Sequence, residues 1–236
     1  MEPKHLQIFF EVVVLLLAIS VHESAHAWTA SHYGDPTARL LGRVSLNPIR
    51  HIDLFGTIIL PAMLILSGTG FVFGWAKPTP VDPRNFKEPM KADIMTSVAG
   101  PASNFMLVGI AFFVLAGVLA VSGSARAVLP LALEQMVTRE SIPYSGEMTA
   151  AFPITLFLAN MILINVLLGV FNLVPLPPLD GSHVIRHFLS PEVLRIYDMA
   201  GMFGLILFMI WGGRYLWMVI TPILGILFGI LRSINA

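Results

Sequence analysis

The sequence predicts an all-α, polytopic membrane protein with about five to six transmembrane helices. Hydrophobic residues make up 56% of the chain and charged residues only 12%, whereas a soluble domain has about 45–50% and about 25%. Apolar runs near the roughly 20 residues needed to cross a bilayer recur along the sequence. The stretches between them are too short for an appended soluble domain of about 50 residues. We therefore expect residues 1–236 to form a single membrane domain.

The predicted elements follow the apolar runs. In chain order these are approximately Leu6–Ala30, Leu54–Trp75, Ile94–Val121, Ala150–Leu173, Ala200–Ile210 and Tyr215–Leu231. The first run exceeds the roughly 7–15 residues of a signal-peptide core, so we expect a retained spanning helix. Turn residues concentrate at Gly74–Pro89 and Asn172–Gly181, where prolines forbid a regular helix. Irregular backbone at membrane depth must line a cavity or be buried in protein, so both segments are candidate walls of a site.

Composition also limits the chemistry of that site. The chain has no cysteine, which excludes disulfides and thiolate metal sites, so any metal must be held by His and carboxylate groups. The formal net charge is zero and long runs of Lys or Arg are absent. A nucleic-acid-binding role therefore has no electrostatic support.

The first apolar run contains the sequence His22-Glu23-Ser24-Ala25-His26. On a helix, two His at positions i and i+4 project from one face about 5–6 Å apart, which suits one zinc ion. Glu23 stands beside the first His and can act as general base towards an attacking water, as in a metalloprotease. The alternative is a polar cluster that packs helices together, but packing would not need an acid between two His at metal spacing.

A catalytic zinc usually takes three protein ligands, so a third should lie elsewhere in the chain. Asp180 lies between a proline-rich stretch and Gly181, on unwound backbone from which its carboxylate can be aimed at a metal. Taken alone, an Asp-Gly pair after prolines is more often an interfacial turn. His183, three residues later, is a candidate substitute ligand or partner of a ligand, but an interfacial surface His is the simpler interpretation.

Three motifs together resemble the site-2 proteases, a family of intramembrane zinc metalloproteases. They are HESAH at 22–26, AGPASN at 99–104 and NLVPLPPLDG at 172–181, and they occur in the family's order. The resemblance implies one zinc ion per chain, with Asp180 as third ligand and Asn172 beside the active site, orienting a substrate carbonyl. It also implies transmembrane protein substrates and a multi-pass protein in the cell membrane of a prokaryote. Ser182 replaces a second glycine that the family often has after the Asp.

Three further residues of these motifs have structural alternatives. Asn104 and Asn172 are amides inside apolar runs, and interhelical hydrogen bonding would account for either. Gly100, which precedes a proline, indicates a close approach of helices and is expected to be structural more than chemical. We see nothing that resembles a PDZ or CBS domain, and expect a compact, single intramembrane metalloprotease domain over 1–236.

The run Leu54–Trp75 either spans the membrane or returns as a re-entrant or β-hairpin segment. The 14 Lys and Arg residues discriminate between the two. Re-entry with an external N-terminus divides them ten inside to four outside, whereas spanning gives at best eight to six. The positive-inside rule therefore favours re-entry and a cytoplasmic-facing site. The adjoining segment Gly74–Val81 could then offer a strand edge to an extended substrate, or else form a plain interfacial loop anchored by Trp75.

Two functions from different classes remain. The first is a zinc metalloprotease that hydrolyses peptide bonds within or near transmembrane segments of membrane proteins. The second is a metal-ion transporter or a non-catalytic metal-binding membrane protein that uses the same His and Asp residues. Glu23 favours the protease, since transport needs ligands but no base beside them.

Overall fold

The computed structural model describes residues 3–60, 63, 75–138 and 150–234. Its helices are α1 Pro3–His32, α2 Thr37–Leu40, α3 Pro89–Val121, α4 Gly123–Thr138, α5 Ala151–Asn172, α6 Asp180–Arg186, α7 Pro191–Leu207 and α8 Gly213–Ser233. The described residues also form short 3-10 turns at Pro48–Arg50 and Pro83–Asn85 and π-helical turns at Leu54–Ile59 and Phe208–Gly212. No strand occurs among the described residues, which confirms the all-α prediction.

Four helical stretches in the described part of the chain are long and apolar enough to cross a membrane. They are His5–His32, Pro89–Val121, Ala151–Asn172 and Pro191–Ser233. The predicted number of about five to six stays a prediction. Most of the predicted run at Leu54–Trp75, namely residues 61, 62 and 64–74, lies outside the described residues. The choice between spanning and re-entry falls on those same residues.

The last of these stretches corrects two predicted boundaries. We expected separate apolar runs at Ala200–Ile210 and Tyr215–Leu231, but helix continues through Gly212, Gly213 and Arg214, with a π-helical turn between α7 and α8. The helix also begins earlier than expected, because Pro191 occupies its first turn and the Ser190 side chain accepts a hydrogen bond from the Val193 N–H. The 43 residues span about 65 Å at 1.5 Å per residue.

The chain divides into two compact units, and the first comprises Met1–Ala18 with Pro101–Ala236. Its core is aliphatic, and the largest fully buried side chains include Leu115, Leu119, Leu129, Leu156, Ile162 and Ile220. One polar link crosses this core, where the buried Asn104 amide donates to the side-chain oxygen of Asn165 at 2.9 Å. Asn104 therefore joins α3 to α5, which is the structural role named as its alternative.

The second unit comprises Ile19–Gly100. Asp35, fully buried just beyond α1, is its polar centre. The Asp35 carboxylate accepts hydrogen bonds from the Asp82 N–H at 2.7 Å, the Asn85 amide at 2.8 Å and the Thr37 N–H at 3.1 Å. Burial raises the pKa of Asp35, but these hydrogen bonds and that of the Thr37 hydroxyl outweigh it and hold the pKa below its ordinary value. The carboxylate thus ties the segment 82–85 to the end of α1.

The segment 75–81, for which a strand edge and a plain loop were the two alternatives, forms no regular strand. It is held by scattered hydrogen bonds: the Trp75 N–H donates to the Gly56 carbonyl at 3.1 Å and the Lys77 N–H to the His51 carbonyl at 2.9 Å. Pro78 and Pro80 have no N–H and cannot donate to a ladder. The segment is therefore an extended loop tied to residues 51–56.

Candidate metal centre

His22 and His26 lie one turn apart on α1, and both side chains are buried. Their Nε2 atoms are 3.0 Å apart. Two nitrogens bound to one tetrahedral zinc ion at about 2.0–2.1 Å lie about 3.3 Å apart, so the pair needs only a small adjustment to share an ion. The helical spacing predicted from the sequence therefore brings two ligand atoms of the right kind together.

A backbone carbonyl orients the second of these rings. His26 Nδ1 lies 2.7 Å from the Thr96 carbonyl oxygen on α3. A carbonyl oxygen can only accept, so Nδ1 carries the proton and Nε2 presents its lone pair. This is the usual way in which a protein fixes the tautomer of a metal-binding imidazole.

Gly100, on α3, lies against the His22 and His26 rings. A Cβ added at Gly100 would lie 2.3 Å from His26 Nε2 and 2.6 Å from His22 Nε2. Any side chain here would therefore clash with both imidazoles. The close approach expected at Gly100 is therefore present, and it is made to the two imidazoles. The glycine of AGPASN was visible in the sequence. Because it lies 74 residues from His26, the sequence did not show that the two residues are in contact.

The remaining residues of HESAH also have defined partners. The carboxylate of Glu23 accepts a hydrogen bond at Oε2 from the Thr79 hydroxyl at 2.7 Å. The Ser24 hydroxyl donates to the Ser45 carbonyl at 2.5 Å and accepts from the Ser45 N–H at 3.0 Å. Ser24 thus ties α1 to the loop that follows α2, which agrees with a structural rather than a nucleophilic role.

Asp180 and Asn172 belong to the other compact unit, Met1–Ala18 with Pro101–Ala236, and have their own contacts within it. Asp180 is the half-buried first residue of α6, and the preceding Pro177–Pro178 bond is cis. A Cβ added at Gly181 would lie 2.3 Å from the Leu173 carbonyl oxygen, so the start of α6 packs directly against the end of α5. His183 is half-buried on α6, one turn after Asp180.

Asn172 is the last residue of α5 and is half-buried. Its side-chain amide donates to the Leu168 carbonyl at 3.0 Å, within its own helix. An Asn amide has two hydrogens and an oxygen, so this bond occupies only part of its capacity. The proline-rich stretch after it is held by α7, where the Tyr197 hydroxyl donates to the Pro175 carbonyl at 2.9 Å.

The donor set fits zinc. The unit Ile19–Gly100 offers two imidazole nitrogens, from His22 and His26, and the other unit offers a carboxylate oxygen, from Asp180. Zinc takes these donors in catalytic sites with three protein ligands. Gly100 lies so close to both Nε2 atoms that a methyl group cannot be added there without displacing the rings.

Comparison with known proteins identifies the family. The sequence model of peptidase family M50 matches residues 10–211, most of the chain. The chain belongs to peptidase family M50. This is the site-2 protease family, so the resemblance seen in the three motifs is confirmed.

Bacterial proteins are similar over most of this M50 chain. It is 39% identical over 201 residues to a protein of Bacillus subtilis, covering 84% of this chain and 78% of that protein. It is 27% identical over 213 residues to a protein of Mycolicibacterium smegmatis, covering 89% of this chain and 66% of that protein. These proteins are named "Putative zinc metalloprotease YwhC" and "Putative zinc metalloprotease Rip2", respectively. No solved structure matches the chain significantly.

Family membership confirms several predictions. The protein is a zinc metalloprotease, and zinc is its cofactor. The four apolar helical stretches among the described residues and the bacterial relatives confirm a multi-pass protein of a prokaryotic membrane. The alternative of a metal-ion transporter or a non-catalytic metal-binding protein is set aside by the same finding.

Proposed function

We propose that the protein hydrolyses peptide bonds within or near transmembrane segments of membrane-protein substrates. In this proposal His22, His26 and Asp180 hold one zinc ion, Glu23 is the general base, and the whole chain 1–236 acts as one intramembrane metalloprotease domain. The observation that carries it is the paired Nε2 atoms of His22 and His26, 3.0 Å apart on a membrane-spanning helix, with Glu23 beside them.

The division of labour among the residues follows from their chemistry. When bound, zinc supplies the Lewis acidity that polarises the scissile carbonyl and acidifies the attacking water. The carboxylate of Glu23 accepts the proton of that water. The Thr96 carbonyl keeps His26 in the tautomer that can act as ligand. Hydrolysis in this arrangement needs no covalent enzyme intermediate, which agrees with the structural role of Ser24.

Asn172 is proposed to orient the substrate. One hydrogen of its amide is donated to the Leu168 carbonyl, which fixes the plane of the group at the end of α5. The second hydrogen can donate to a carbonyl of an extended substrate, a contact that would hold the scissile bond in register. A peptide in a helix has its carbonyls hydrogen-bonded, so the substrate must be presented unwound.

Comparison of the wild type with Glu23→Gln tests the function. Each is co-expressed with a panel of single-pass membrane proteins tagged at both ends, and cleavage is followed by immunoblot. We expect the wild type to release shortened tagged fragments and the variant to release none, with zinc per purified chain equal in the two. Cleavage by Glu23→Gln at the wild-type rate would remove the assignment of Glu23 as base. A wild type that cuts no member of the panel would argue against transmembrane substrates.

A further inference from the structure

The carboxylate of Glu23 is held by a residue far away in the sequence. The Thr79 hydroxyl oxygen lies 2.7 Å from Glu23 Oε2 and 3.2 Å from the Glu23 backbone carbonyl oxygen. A hydroxyl has one hydrogen, and the shorter distance is typical of an O–H donor facing a charged carboxylate. The hydroxyl therefore donates to the side chain, and both residues belong to the unit Ile19–Gly100.

The backbone around Thr79 is stiff. Pro78 and Pro80 flank it, and a proline fixes its own φ and biases the residue before it towards extended conformations. Thr79 therefore has little backbone freedom with which to move away from Glu23.

The chain on each side of this short stretch is anchored. On the N-terminal side, the Lys77 N–H donates to the His51 carbonyl at 2.9 Å. On the C-terminal side, the Asp82 N–H donates to the buried carboxylate of Asp35 at 2.7 Å. Val81 also packs against the apolar cluster of Ala30, Phe86 and Ala92. The Thr79 hydroxyl is thus held in place beside Glu23 of α1.

We propose that Thr79 is a positioning residue for the general base. A glutamate on a helix has several staggered rotamers open to it, and the bond from Thr79 selects one of them. It occupies a lone pair of Oε2 and leaves Oε1 to accept the proton of the attacking water. This inference rests on the proposed role of Glu23, and it assigns to the Lys77–Pro80 segment a function in the chemical step.

Two substitutions separate this role from packing. Thr79→Val keeps the shape of the side chain and removes the hydroxyl, whereas Thr79→Ser keeps the hydroxyl and removes a methyl group. The substrate is a tagged single-pass protein that the wild type cleaves and Glu23→Gln does not. We expect Thr79→Val to lower kcat at least about tenfold, the usual scale for a lost hydrogen bond to a charged group, with KM and zinc per chain unchanged. Thr79→Ser should retain nearly the wild-type kcat.

The outcomes distinguish this inference from the proposed function. If Thr79→Val keeps the wild-type kcat while Glu23→Gln is inactive, Thr79 does not position the base and the role of Glu23 stands. A loss of zinc, a raised KM alone, or an equal loss of kcat in Thr79→Ser would also overturn the inference, since each indicates a role in folding or binding. If Glu23→Gln remains active, the proposed function fails first, and the positioning role fails with it.

Discussion

The HESAH face of α1 and the proline-rich segment before Asp180 present their polar side chains by different means. His22 and His26 are placed by helical periodicity alone, and one carbonyl contact at Thr96 fixes the second ring. Asp180 follows an irregular stretch with a cis Pro177–Pro178 bond, and its position depends on packing against the end of α5 and on α7. Regular structure therefore supplies the proposed pair of ligands, and tertiary packing must supply the proposed third.

Loss of a ligand should have the largest effect in both regions. We expect a large loss of zinc affinity in each of His22→Ala, His26→Ala and Asp180→Asn. Removing a residue that only hydrogen-bonds to a ligand lowers metal affinity about 10–100-fold, and removing a ligand itself should lower it more. Zinc per chain is measured by mass spectrometry on protein purified in detergent. His183→Ala is the matched control on α6 and should retain full zinc. Retention by Asp180→Asn together with loss by His183→Ala would reassign the third ligand.

The next largest effect is expected at Gly100. The methyl group of Gly100→Ala would clash with the Nε2 atoms of His22 and His26, so zinc content and cleavage should both fall steeply. Gly109→Ala is the control, because it lies on the same helix α3 with no neighbouring atom within 4 Å. Both changes gain about 0.5–1 kcal/mol of helix preference, so the difference between them reports the site. Equal zinc content in the two variants would show that the imidazoles can move aside.

Gly181→Ala tests the second region in the same way. The Cβ of the new alanine would lie 2.3 Å from the Leu173 carbonyl oxygen. Because this contact is too short, the start of α6, and Asp180 with it, must be displaced. We expect weaker zinc binding and a lower thermal midpoint, but a smaller loss than at Gly100, because the clash is one residue away from the carboxylate. Gly204→Ala on α7, whose Cβ would lie 3.7 Å from Leu176, should change neither quantity. An unchanged Gly181→Ala would indicate that the turn is not closely packed.

What the sequence could predict follows the same division. The spacing of HESAH is a local property of one helix, so the pairing of the two His followed from it. The contact of Thr79 with Glu23 and that of Gly100 with His26 were not predicted, because the partners lie 56 and 74 residues apart and no local pattern links them. Ala200–Ile210 and Tyr215–Leu231 were predicted as separate runs, but a π-helical turn at Phe208–Gly212 leads directly into α8 at Gly213.

The smallest effect should come from Asp35, which anchors the segment carrying Thr79. The pKa of Asp35 lies below its ordinary value of 3.8. The carboxylate therefore stabilises the fold fully above pH 3.8, and this stabilisation is lost as the pH falls through the lowered pKa. Asp35→Asn replaces one acceptor oxygen by a donor facing the Asp82 N–H or the Asn85 amide, at a cost of about 1–3 kcal/mol at neutral pH. Thermal midpoints of the two proteins should therefore differ at pH 7 and converge on acidification below pH 4. A constant difference across that range would mean that the Asp35 carboxylate is not held in its charged form by these hydrogen bonds.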